Sequence, residues 1–200
     1  GSVYDYYELQ TPRERPQGYN TLAPRYAYSF AFTYIHIGCG VWEPGDEATL
    51  ERLGVENVLL HTGVYEQAGD RSAWFAWRGL EEQGWSPAKE GGAVTLFTRG
   101  ASSSPPAVAE PSRVKPVFCQ GWRDGRTTEL QAPFWVFGTG PFTLMLTSEA
   151  PIRATITVEG QVVYEDQVDG RATAQLVFPD EEWHPVVLNA TSPGVGLEFL

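Results

Sequence analysis

The sequence predicts an α+β chain of two domains: a small α/β sandwich over residues 3–100, then an antiparallel, jelly-roll-like β-sandwich over residues 113–200. Three observations predict it. A capped helix and an apolar run follow one another over Asp46–Tyr65. Short alternating strands recur from Arg113 onward, with no helical period. Between them lies Gly100–Pro111, GASSSPPAVAEP, whose serines and prolines read as a linker, placed at residues 101–112.

Residues 3–20 are aromatic and irregular, because Pro12, Pro16 and Gly18 deny a long helix while Tyr4, Tyr6, Tyr7 and Tyr19 offer amphipathic surface. Tyr26–Tyr34 alternates aromatic residues in a way that fits a strand, although Ala23-Pro24 also suits a helix start. Pro44-Gly45 makes a turn, and Asp46 is the expected N-cap of a helix that turns Leu50 and Leu53 to the core and ends at Gly54. Val55 and Val58–Leu60 then read as a central strand of a mixed sheet, covered on both faces and ending at His61. A loop after Gly63 precedes a second helix from about Asp70, which buries Trp74, Phe75, Trp77 and Leu80 and is closed by Gly84. Ser86–Lys89 and Ala93–Thr98 flank Gly91-Gly92 as a hairpin.

In the second half, strands are expected at Val114–Phe118, Thr127–Val136, Phe142–Thr147, Ala154–Val158, Val162–Asp166, Ala172–Phe178, Val186–Asn189 and Val195–Phe199. Glu159-Gly160 and Asp169-Gly170 read as the hairpin turns between neighbours.

The formal charge is −11, from 14 basic and 25 acidic residues, and acids outnumber bases in both halves. A duplex-binding protein needs a basic face, so no nucleic-acid partner is expected, and an anionic membrane surface is disfavoured for the same reason. No run of about 18 apolar residues occurs, the nearest, Tyr26–Trp42, being too polar to span. Gly1-Ser2 resembles the remnant of a cleaved tag, so an excised fragment is expected.

Motifs for chemistry are sparse. His36, His61 and His184 lack metal-ligand spacing, and no cofactor or metal is expected. Cys119 lacks the surroundings of a catalytic cysteine, and neither a GxSxG elbow nor a phosphate-binding glycine loop is present. The acids of Glu165-Asp166 and Asp180-Glu181-Glu182 read as solvated turns, which gives a glycoside hydrolase no pair to use. Cys39 and Cys119 are either two buried thiols or a bridge between the domains. Sugar recognition is the better-supported chemistry, since aromatic faces stack on sugar C–H groups beside acids and amides that bond hydroxyls. Trp122, Trp135, Trp183 and the tyrosines near the N-terminus are the candidates, with Trp183 expected nearest the surface because of its acidic neighbours.

Leu53-Gly54-Val55-Glu56-Asn57-Val58-Leu59-Leu60-His61, followed by Gly63 and Tyr65, resembles the LGVxYVVxHxGxY stretch of extracytoplasmic C-terminal regions of bacterial multi-pass GT-C-type glycosyltransferases, similar to dolichyl-phosphate-mannose mannosyltransferases. Arg15–Thr21 with Ala23-Pro24, Cys39-Gly40, Val94–Phe97, Phe118–Trp122 and Trp183-His184 look like the same family, whereas Asn57 stands where that family commonly has an aromatic. The resemblance implies a non-catalytic domain on the outer face of the cell membrane, attached through parent segments and seating a glycan or lipid-linked sugar acceptor. It places the ligand near Tyr19, His61, Tyr65 and Trp183, and it favours a Cys39–Cys119 disulfide. A free-standing secreted glycan-binding protein and a soluble glycoside hydrolase are the alternatives.

Overall fold

The structure, a computed structural model, describes residues 36–67, 72–100, 108–114 and 116–200. The expected Tyr26–Tyr34 element, Tyr19 and most of the linker lie outside the described residues. His36–Leu200 forms one compact unit that contains two sheets.

The chain enters it through a 3-10 turn at Ile37–Cys39, followed by α1 (Asp46–Arg52), β1 (Asn57–Leu60), α2 (Thr62–Gln67) and α3 (Ala73–Glu82). β2 (Trp85–Gly91) and β3 (Val94–Arg99) complete a three-stranded antiparallel sheet in the order β1-β3-β2. The sheet is therefore not mixed. Among the described residues β1 is an edge strand: Leu60 is buried, but Leu59 is 54% exposed. The apolar run Val58–Leu60 reads like a central strand because hydrophobicity alone does not report which neighbours a strand acquires.

Other local expectations are corrected for similar reasons. Gly45, not Asp46, holds the N-cap position of α1. Asp46 turns its buried carboxylate back, accepting the Glu43 N–H at 2.8 Å. Leu50 is buried, but Leu53 follows the last helical residue and is exposed. The segment after Gly63 is helical, as part of α2, where a loop is expected from sequence. α3 buries Phe75, Ala76, Trp77, Gly79 and Leu80, with Trp74 only half-buried. Gly92 (φ 61°) turns the β2–β3 hairpin, and Gly84 (φ 81°) follows α3.

The second sheet contains β4 (Val117–Phe118), β5 (Trp122–Arg123), β6 (Arg126–Thr127), β7 (Gln131–Phe137), β8 (Gly140–Val158), β9 (Gln161–Phe178), β10 (Trp183–Ala190) and β11 (Gly196–Phe199). Its order is β4-β7-β10-β8-β11-β6-β5, with β9 along β8, and every pairing is antiparallel. The α+β class with a β-sandwich-like body stands.

β8 and β9 make that body. Their hairpin closes on Glu159 (φ 50°) and Gly160 (φ 78°), the pair of positive φ values that a two-residue primed turn requires. Residues 144–147 of β8 pair with β11, whereas 154–158 pair with β10. The change of neighbour coincides with a register shift between Ser148 and Ile152. One long strand thus serves both halves of the sheet, and a bulge supplies the bend. The four strands expected over this region are two. Asp169-Gly170 is no hairpin turn: Gly170 (φ 71°) lies opposite Ser148, so both strands bend together without leaving each other.

Inside the bend lies a core that includes Phe134, Leu144, Leu146, Ile156, Leu176 and Leu188, all essentially solvent-free. Burying each such side chain contributes roughly 1.5–3 kcal/mol, so most of the apolar stabilisation of this body lies inside the bend.

Candidate functional site

The two sheets meet at a seam built from the 3-10 turn, α3 and β7. Cys39 and Cys119 are joined by a disulfide, with Cα atoms 5.7 Å apart. Their sulfurs pack with Val41, Val187 and Trp135 in a small apolar cluster. Beside it, Trp135 donates its indole N–H to Cys39 O at 2.8 Å and stacks on Phe75 with ring centroids 4.4 Å apart. The planes are nearly parallel, so the two rings pack face to face between α3 and β7.

A polar network flanks this aromatic stack. The buried His36 ring has Nε2 2.8 Å from Asp46 Oδ2 and Nδ1 2.9 Å from Gln131 Oε1. Gln131 donates its amide to Glu43 Oε1 at 3.4 Å. Taking His36 and Asp46 out of water is tolerable because each has hydrogen-bond partners. Close approach of the turn to α3 requires glycine: a Cβ on Gly40 (φ 75°) would stand 2.0 Å from Phe75 O, and one on Gly79 2.7 Å from Gly40 O.

A cleft of about 190 Å³ opens at this seam. It is lined on one side by Gly40–Glu43 and by Glu82 and Gln83 at the end of α3. The other side is Trp135, Thr157, Glu159-Gly160, Pro185 and Val187. Each carboxylate has a named partner. Glu43 accepts from Gln131, Glu82 lies 3.6 Å from Arg78, and Glu159 Oε1 lies 3.0 Å from His184 Nδ1. His184 is buried, stacks on Phe178 at 4.3 Å and places Nε2 3.1 Å from Asp180 O. A buried imidazole therefore fixes the lip of the cleft. Among the described residues the buried Trp42 indole N–H has no hydrogen-bond partner.

Of the residues expected from sequence, Trp135 lines this cleft, whereas His61, Tyr65, Trp122 and Trp183 do not. Tyr19 lies outside the described residues. His61 is half-buried just before α2, its carbonyl accepting the Val64 N–H at 3.0 Å. Tyr65 donates its hydroxyl to Gly38 O at 2.6 Å, which ties α2 to the 3-10 turn. Trp183 is steeply inclined to both Phe75 (centroids 4.9 Å apart) and Phe137 (5.3 Å) and donates its N–H to Glu110 at 3.1 Å. Tyr65 and Trp183 are thus both tied to the seam, one through Gly38 and the other through Phe75. Trp183 is packed against two phenylalanine rings, with its N–H engaged by Glu110. Trp122 likewise donates to Pro133 O at 3.0 Å and packs on Phe118 and Phe134.

Arg113 completes the Trp183 anchor. Its Nε bonds Glu110 at 2.9 Å while its guanidinium lies over Phe137, 4.8 Å from the ring centroid. The hydrogen bonds from Arg113 and Trp183 hold the Glu110 carboxyl below its usual range.

Trp42, Glu43, Glu82, Gln83, Thr157 and Glu159 carry no local motif, and they meet only because α3 docks across the β8–β9 turn. Among the described residues, no three His, Cys, Asp or Glu side chains converge as a metal site, and no helix is long and apolar enough to cross a membrane. The chain matches no family model, no curated protein and no solved structure.

Proposed function

We propose that this chain is the glycan-recognising, non-catalytic portion of an extracytoplasmic, membrane-glycosyltransferase-like protein, and that the seam cleft takes the sugar. The observation that carries the reading is the lining: two tryptophans with three glutamates, one glutamine and one threonine around a single small concavity. Apolar ring surface beside carboxylate and amide groups suits a sugar, which presents C–H faces and hydroxyl edges. The cleft is smaller than the roughly 300–1,000 Å³ of drug-sized sites, so it suits one sugar unit of a longer glycan. The Cys39–Cys119 bond supports the compartment, since disulfides persist in oxidising surroundings.

The test is a glycan array probed with the labelled chain and with Glu43→Ala, Trp183→Ala and Tyr65→Ala variants. Binding that is lost in Glu43→Ala and kept in folded Trp183→Ala and Tyr65→Ala supports the reading. An array without a single reproducible hit overturns it and leaves a domain that only braces its parent.

A further inference from the structure

We infer that the cleft selects a cationic sugar, one bearing a free ammonium group, over neutral sugars of the same size. This rests on the glycan reading above and adds the ligand's charge. The walls supply two independent reasons. Trp42 and Trp135 both line it, and indole is the aromatic ring that attracts cations most strongly, although Phe75 covers one face of Trp135. Glu43, Glu82 and Glu159 reach the same cleft from three separate elements: the loop after the 3-10 turn, the end of α3 and the β8–β9 turn. No lysine or arginine is among the described residues that line it, and Arg78 reaches Glu82 only from outside, at 3.6 Å.

The carboxylates are also positioned in advance. Gln131 holds Glu43, and the buried His184 holds Glu159, so a ligand finds two acceptors already oriented. Pre-oriented groups lose less freedom on binding, which leaves more of the interaction visible as affinity. A neutral hydroxyl can bond one carboxylate. An ammonium offers three N–H donors and a charge to the same acceptors, and charge-assisted bonds are about twice as strong as neutral ones. N-Acetylation would remove that charge and add bulk that a cleft of about 190 Å³ resists.

The experiment titrates the full chain with D-glucosamine, N-acetyl-D-glucosamine and D-glucose by ligand-observed NMR, at low salt and pH 6.5. It is repeated with Glu43→Gln and Glu82→Gln, two variants at solvent-accessible positions whose folding is checked by circular dichroism. The expected result is saturable glucosamine binding at least about tenfold tighter than either neutral sugar, a difference that falls in both variants and with added salt. Equal binding of all three sugars, sensitive to Glu43→Gln, overturns charge selection while the glycan reading survives. Glucosamine binding unchanged in both variants also overturns the proposal, because the amine then sits elsewhere. Failure of every sugar here together with an empty array removes both readings.

Discussion

The two sheets of the unit bury their apolar surface in different ways. The eight-stranded body encloses its own core, with Leu144, Leu146, Ile156, Leu176 and Leu188 all facing one another inside the bend of β8 and β9. In the three-stranded layer Trp77 of α3 packs against Phe97 and Trp85 is buried, but Phe75 is covered by Trp135 and Trp183 of the body, and Leu59 and Val64 stay exposed. One sheet is self-sufficient, and the other is completed by its neighbour. The lesson is that the seam is structural material and binding surface together: the contacts that finish the small layer also shape the cleft.

Removing the disulfide breaks that dependence most severely. Cys39 and Cys119 are 80 residues apart, and the chain-entropy relation gives about 4.5 kcal/mol at 25 °C for a loop of that length. A Cys39→Ser/Cys119→Ser chain is expected to lose hydrogen-exchange protection over residues 37–99 first, while β8 and β9 stay protected. Uniform loss in both sheets would show that the small layer does not lean on the body.

The converse substitution is Phe134→Ala. Phe134 is fully buried among Phe118, Trp122 and Phe199, and its truncation is expected to cost about 4 kcal/mol. Chemical denaturation followed by circular dichroism should then show both sheets unfolding in one earlier transition. A small layer still folded after the body has melted would contradict the asymmetry.

Gly40→Ala acts at the contact itself. The added methyl meets the Phe75 carbonyl in a left-handed backbone position, and a loss of about 2–3 kcal/mol is expected from thermal melts. Gly160→Ala, equally left-handed but with open space around its Cβ, should cost less.

The smallest expected effect concerns Glu110. Its carboxyl is held below the ordinary value of 4.5 in the folded chain, first by the Arg113 hydrogen bond and then by that of Trp183. A depressed folded value means stability that is present above pH 4.5 and fades as pH falls below it. Urea midpoints measured from pH 6 down to pH 3 should therefore fall slightly less steeply in Glu110→Gln than in the parent chain. Parallel curves would show that the Glu110–Arg113–Trp183 anchor does not matter to folding.

Local signals carried much of the fold. Gly54, Gly92 and Gly160 mark real turns because glycine accepts positive φ at no steric cost. Asp169-Gly170 fails as a turn signal for an instructive reason: Gly170 permits a left-handed residue, but only the continuing β8 partner decides that the chain bends and does not reverse. Val58–Leu60 misleads similarly, since burial of a strand depends on neighbours that its own residues do not name. The candidate site was less legible. An acidic flank suggests that Trp183 is exposed, yet it is half-buried and packs against Phe75 and Phe137. Trp42, Glu82 and Glu159 are distant in sequence, and the docking of α3 is what brings them together.

The central claim is that recognition belongs to the seam cleft and not to Trp183. Indole N–H resonances of the ¹⁵N-labelled chain, assigned by substitution and followed during titration with a glycan that binds on the array, test it directly. The account predicts progressive, saturable shifts for Trp42 and Trp135 while Trp183 stays in place. Shifts confined to Trp183, with Trp42 and Trp135 unmoved, would contradict it.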